Sequence, residues 1–154
     1  MVPTFTVTTR IRCDPDRAFA AGLDIDLHLR SMEKSGERAV GGVTSGRIGL
    51  GETVTWSARH FGLPWRMTSK ITAYEAPARF VDEQISGPFR HWRHEHLFRA
   101  VGTTTVMTDV IDFTAPAGPL GHLIAVSVLR PYLKNLISAR NAELKATLEG
   151  RPGA

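Results

Sequence analysis

His94 and His96 stand on either side of Glu95 in the run GPFRHWRHEHLFR, positions 87–99 of this 154-residue chain. A strand's period of two puts both imidazoles on one face with Trp92 and Phe98. It puts His91, Arg93, Glu95 and Arg99 on the other, with Leu97 as that face's only apolar member. The charged face requires water, so the aromatic and imidazole face points inward. Two inward imidazoles suit a hollow, partly polar interior better than a solid core. Imidazole titrates near neutral pH, so beside a carboxylate it can orient a ligand carbonyl or hydroxyl, or serve as general acid and base. Asp109, on the strand that follows, is the carboxylate offered for a buried hydrogen-bonded pair. The same three side chains are of the right types to chelate zinc or iron. Two-residue spacing is a weak metal signal, however, and no second cluster accompanies it, so no metal and no cofactor is expected.

The elements that must position these groups follow from hydrophobic period and turn chemistry. Residues 4–12 alternate, with Phe5, Val7 and Ile11 inward, which is a half-buried strand. Asp14 and Pro15 have the character of N-cap and first residue of a helix that Gly22 can end, and a second short helix is expected over 24–32. Strands are expected at 37–43, 52–61, 66–75, 78–86, 91–100 and 104–114, separated by Gly- and Pro-rich turns, which argues an antiparallel meander. A last helix over 120–148 carries Leu129, Leu133, Leu136, Ile137, Leu144 and Leu148 as an apolar stripe, with Arg130, Lys134, Arg140 and Lys145 mostly opposite. Pro131 lies inside it and removes the amide that would bond to Ser127, so a kink or break is expected there.

The same period of two, carried to the other strands, gives the expected interior. Val54, Trp56, Ala58 and His60 face in from one strand, and Met67, Ser69, Ile71 and Ala73 from the next. Met107, Asp109, Ile111 and Phe113 face in from the last strand. His60, near a strand end, reads first as a neutral core imidazole bonded to backbone or water. In 78–86 the faces are Phe80, Asp82 and Gln84 against Val81, Glu83 and Ile85, and the sequence does not choose between them. Adjacent Asp82 and Glu83 point opposite ways and cannot serve one site together. The loop 44–51, TSGRIGLG, lacks the Lys-Ser/Thr ending of a phosphate loop and reads as a hairpin tip. Its Ile48 and Leu50, with Leu63 and Trp65 of the next connection, are expected to form a mobile apolar rim at a cavity mouth.

Composition bounds the function. The chain is 42% hydrophobic and 22% charged, values of a folded domain rather than a disordered one. Residues 1–150 are expected to form one ligand-binding domain and 151–154 a short tail. Its one cysteine, Cys13, excludes an internal disulfide or a cysteine-built zinc site and is expected to pack. A net charge of +4 raises the question of nucleic acid, but the basic residues are scattered and interleaved with acids, so no nucleic-acid partner is expected. No apolar run is long enough to insert stably in a membrane and no secretory signal is seen, so the cytoplasm is the expected location.

Strand, two short helices, six antiparallel strands and a long terminal helix is an α+β layout that resembles the START-like, or helix-grip (SRPBCC), superfamily. The segments GETVTWSARHFG, FVDEQISGPFRHWRHEHLF and TDVIDFTAPAGPLG resemble small bacterial members of its polyketide cyclase/dehydrase and lipid-transport group. The resemblance implies a helix-grip fold, a curved seven-stranded sheet wrapped around the long C-terminal helix, with a deep pocket between them for an apolar or aromatic molecule. Catalytic candidates are His94, His96 and Asp109. Ligand-binding candidates are Trp56, His60, Met67, Ile71, Trp92, Phe98, Met107, Phe113, Leu129 and Leu133. Binding or carriage of a small hydrophobic molecule (lipid, polyketide or isoprenoid-like) is the first reading. A cyclase or dehydratase using His/Asp acid–base chemistry without cofactor is the second. A domain that chiefly mediates an interaction, as a homodimer or with another protein, is the third.

Overall fold

In the computed structural model, which describes residues 2–150, the period-two segments become seven strands and the longer-period segments become helices. The expected 151–154 tail lies outside the described residues. β1 (Thr4–Ile11) buries Phe5, Val7 and Ile11 and leads into α1 (Pro15–Gly22) and α2 (Ile25–Ser31). Both helices are capped as their sequences require. Asp14 Oδ1 accepts from the Arg17 amide at 2.9 Å and Asp24 Oδ1 from the Leu27 amide at 3.0 Å, each satisfying a first-turn donor that has no partner within its helix.

β2 (Arg38–Gly42), β3 (Thr53–His60), β4 (Leu63–Glu75), β5 (Arg79–Ser86), β6 (His91–Val101) and β7 (Thr104–Thr114) follow. They form one antiparallel sheet in the order β1-β7-β6-β5-β4-β3-β2, so the meander is intact and the N-terminal strand returns to pair with the last. Two connections differ from expectation. Leu63 and Pro64 belong to β4, because Phe61 and Gly62, at φ 56° and 72°, make the β3–β4 turn by themselves, a backbone hand that matches strand twist. The 44–51 loop is no free hairpin tip. It folds back on the helices through Ile25 N to Gly46 O at 2.9 Å and Ile48 N to Leu23 O at 3.0 Å.

After β7 the chain runs through α3 (Gly118–Ile124), a π-helical turn (Ala125–Leu129) and α4 (Arg130–Leu148). Pro131 does not end this helix, and the interruption expected at it takes the form of the π-helical turn just before it. The turn before it is widened, with the Arg130 amide bonded five residues back to Ala125 O, so the missing proline amide falls where the ladder has already shifted. α4 turns Ile137, Asn141 and Leu144 toward the sheet. Among the described residues no helix is long and apolar enough to cross a membrane.

Two apolar clusters result. One gathers Ile11, Phe19, Leu23, Phe80, Phe98, Met107 and Leu144 beneath α1 and α2. The other gathers Phe5, Trp92, Ile111, Phe113, Leu129 and Ile137 beneath the start of α4. Between them, in step across the sheet and the helix, lie His94 and His96 of β6, Asp109 of β7 and Asn141 of α4, all buried.

The entry into α3 depends on a glycine. A Cβ at Gly121 would sit 1.6 Å from the Pro116 carbonyl oxygen. Gly121→Ala is therefore expected to cost at least about 1–3 kcal/mol by urea unfolding, through forced backbone displacement. An unchanged midpoint would contradict this approach of helix and loop.

Candidate functional site

The curved sheet and α4 enclose a cavity with about 170 Å³ open to the centre of a water molecule. A single water needs roughly 10–15 Å³ by that measure, so the space suits a multi-atom ligand. β3 supplies Val54, Trp56, Ala58 and His60, and β4 supplies Trp65, Met67, Ser69 and Ile71. Trp92, His94 and His96 come from β6, and Leu129, Leu133 and Ile137 from the terminal helix. Thus Trp56, His60, Met67, Ile71, Trp92, His94, His96, Leu129 and Leu133 are brought to one wall-lined space.

Four expected residues do not reach it. Phe98 is covered by α1: its ring lies 5.5 Å from Phe19 and 5.9 Å from Phe80, in the first apolar cluster. Met107 is packed in the same cluster with Ile11 and Leu144. Phe113 is capped by Phe89 and Trp92, with ring centroids at 5.8 and 6.3 Å. Asp109 is fully buried behind the imidazoles and does not line the cavity. In each case a neighbouring layer of side chains stands between the inward-pointing residue and the empty space. The expected rim also changes. Ile48 is core, at 4% exposure, while Leu50 and Leu63 point to solvent away from the cavity, leaving Trp65 alone as a lining residue.

The polar end of the cavity is a hydrogen-bonded belt across β5, β6, β7 and α4. Asp109 Oδ1 receives His94 Nε2 at 2.7 Å and Arg140 Nη2 at 3.2 Å, and His96 Nδ1 lies 3.3 Å from it. Asp109 Oδ2 receives Asn141 Nδ2 at 2.6 Å. On the opposite side, Asp82 Oδ2 pairs with His96 Nε2 at 2.8 Å and lies 3.8 Å from His94 Nδ1. The two imidazoles stack at 3.7 Å. Arg140 is therefore turned inward, contrary to its expected place on the outer face, because a buried carboxylate recruits the one guanidinium on that turn that can reach it.

Burial first, and then the charge of His96, push His94 down to about 4, so it is neutral. Burial acts the same way on His96, but hydrogen bonds to Asp109 and Asp82 outweigh it and raise its pKa. Burial alone would raise Asp109. Hydrogen bonds from both imidazoles and the charge of Arg140 instead hold it well below the usual carboxylate range. Asp82 is likewise lowered, burial being outweighed by the His96 hydrogen bond and the charges of both histidines and Arg140. The belt thus contains two carboxylates, one guanidinium and two imidazoles, of which His94 is neutral.

His60 has a side-chain partner: its Nδ1 lies 2.7 Å from the Tyr132 hydroxyl of α4. Phe61 packs on the same tyrosine ring at 4.5 Å, and Trp65 Nε1 donates to the His60 carbonyl at 3.1 Å. This ties the β3–β4 hairpin to the helix at the far end of the cavity from Arg140. Tyr132, Phe89, Asp82, Arg140 and Asn141 are site residues that the sequence reading missed. Asp82 was available once its strand face was known. The position of Arg140 next to Asn141 was a signal too, since Asn141 interrupts the apolar stripe between Ile137 and Leu144.

An antiparallel sheet gripping a C-terminal helix around a cavity defines the helix-grip class. The chain belongs to the polyketide cyclase / dehydrase and lipid transport family, whose pattern matches residues 2–149. No curated protein matches it in sequence. Solved structures share its fold at low identity. TTHA0849 from Thermus thermophilus superposes with a TM-score of 0.78 at 14% identity, over 96% of this chain and 98% of that one. The Zhui aromatase/cyclase from Streptomyces sp. R1128 gives 0.70 at 14% identity over 100% of both chains. Major latex-like protein 151 from Panax ginseng gives 0.65 at 14% identity, over 96% of this chain and 97% of that one.

Asp109→Ala would leave a guanidinium and an amide buried without their acceptor. It is expected to cost about 3–5 kcal/mol by urea unfolding; a loss under about 1 kcal/mol would mean the belt does not join helix to sheet. His60 gives a pH signature. Burial lowers its folded pKa below 6.5, so between that lowered value and 6.5 the unfolded chain binds more protons than the folded one. Stability therefore falls as pH drops through this window. His60→Gln is expected to flatten the fall in urea midpoint between pH 6.5 and 5, and an unaltered slope would count against a neutral buried His60.

Proposed function

We propose that this protein binds one small, mostly apolar molecule carrying oxygen groups, of lipid, polyketide or isoprenoid type, between the sheet and α4. One observation carries the reading. The cavity is walled chiefly by aromatic and aliphatic side chains of β3, β4, β6 and the terminal helix, while Asp82, His94, His96 and Arg140 line one part of it. Apolar contact supplies the affinity, at about 2.5 kcal/mol for each 100 Å² of ligand surface buried. The imidazoles, Asp82 and Arg140 give the cavity a polar end and so an orientation for the ligand.

A second reading, turnover of that molecule by a cyclase or dehydratase reaction, is supported by one arrangement. Two imidazoles and the Asp82 carboxylate line the same end of the space, within reach of any carbonyl or hydroxyl placed there. Asp109 would then position the imidazoles without touching the ligand.

Native mass spectrometry of the purified protein and displacement of an environment-sensitive naphthalene dye test the first reading. Ala58→Trp, which fills the cavity from β3, is expected to weaken dye binding at least about tenfold, the loss of roughly 1.4 kcal/mol, while the circular dichroism stays unchanged. Undiminished binding in a folded variant would place the ligand elsewhere. Loss of water from an aromatic polyketide, abolished by His94→Ala and kept by His60→Gln, would establish the second reading.

A further inference from the structure

The geometry points to a divalent-metal site formed by Asp82, His94 and His96, with its open coordination position facing the cavity. This goes beyond ligand binding and does not depend on it. The inference starts from Asp109. That carboxylate can only accept, and two of its partners, the Arg140 guanidinium and the Asn141 amide nitrogen, can only donate. The imidazole nitrogens turned toward it, His94 Nε2 at 2.7 Å and His96 Nδ1 at 3.3 Å, therefore carry hydrogens. The opposite nitrogens, His94 Nδ1 and His96 Nε2, then face Asp82 Oδ2 at 3.8 and 2.8 Å.

In their neutral forms these two nitrogens and the carboxylate oxygen are three lone-pair atoms gathered within 4.8 Å of one another. Such a grouping attracts a cation. A proton between His96 and Asp82 fills only half of it, because His94 Nδ1 lies 3.8 Å from Asp82 Oδ2, beyond hydrogen-bond distance. A metal ion serves all three atoms together.

The distances fit. The three ligand atoms lie within 4.8 Å of one another, and the two measured edges, 2.8 and 3.8 Å, bracket the roughly 3.3 Å edge of a tetrahedron with bonds of about 2.0–2.1 Å. The surroundings fit as well. Metal-bound histidines commonly donate their second N–H to a carboxylate, which fixes ring orientation and tautomer. Here one carboxylate does so for both rings and is itself fixed by α4. Asp82, His94 and His96 all line the cavity, so the fourth position would take water or an oxygen of the bound molecule. Two carboxylates and Arg140 leave one negative charge, which a dication converts to one positive charge that hydroxide or an anionic ligand oxygen neutralises. Two nitrogens and one oxygen favour zinc or a neighbouring first-row ion over magnesium or calcium.

The test uses untagged, chelator-stripped protein titrated with Zn²⁺ by calorimetry and with Co²⁺ by visible absorption. One equivalent is expected to bind with a Kd at or below about 1 μM, and Co²⁺ to give the absorption of a four-coordinate ion. Asp82→Asn and His94→Ala, checked by circular dichroism, are expected to weaken binding at least about 100-fold, and Asp109→Asn about 10- to 100-fold. Changing the surface histidines His91 and His122 to alanine should leave it intact. Absence of saturable binding by folded wild-type protein overturns the site. So does binding that survives Asp82→Asn or His94→Ala in a folded variant. Dye binding by metal-free protein separates the two proposals: dye without metal refutes only the metal site, and metal without dye refutes only the ligand reading.

Discussion

Asp109, with none of its surface in contact with water, is the group on which the meeting of sheet and terminal helix depends. Removing a carboxylate from water costs several kcal/mol, recovered only if its lone pairs are filled with well-placed donors. Four donors do this, two from β6 and two from adjacent positions on α4. Apolar contacts alone would let the helix slide or rotate over the sheet at small cost. The carboxylate requires Arg140 and Asn141 to face inward at one height, and that fixes the helix in rotation and in translation.

The cavity follows from the same constraint. Large aromatics fill the interior at both ends, Phe19, Phe80 and Phe98 under α1 and Phe113 under Trp92 and Phe89. In the middle the polar belt prevents the walls from closing, since its groups are committed to one another and cannot be buried against hydrocarbon. The His60–Tyr132 bond and the Phe61 contact tie the β3–β4 hairpin to α4 at the other end. The result is a largely apolar space with the belt in one part of its wall and the His28–Glu37 pair in another, in a fold shared with proteins of about 14% identity.

Much of the fold was legible because it rests on local rules. Alternation in β1, β3 and β6, the Asp14 cap and the leucine stripe of α4 each need only a dozen neighbouring residues to be read. The inward face of β6, and with it the burial of His94 and His96, could be inferred because its opposite face is charged. What faces inward is not always what lines a cavity, however. Phe98, Met107 and Phe113 point in and still meet other side chains, since α1 and Phe89 arrive from distant parts of the chain to cover them.

The sequence by itself determined the strands, the helices and the imidazole face, because periodicity and capping are local. Only the tertiary structure decided which second acid joins Asp109 at those imidazoles. Strands ending at residue 86 and resuming at 91 would set Glu83 opposite His94. Instead the Gln84 side-chain amide clasps Phe89, with Nε2 on its carbonyl at 2.7 Å and Oε1 on its amide at 3.2 Å. The pairing opposes Asp82 to His94 and Phe80 to His96. A shift of one residue exchanges the faces of a strand, and here it brings Asp82 rather than Glu83 to the site. The inward turn of Arg140 has the same origin: its partner, Asp109, lies thirty-one residues away in sequence, and no local pattern announces a bond across that distance.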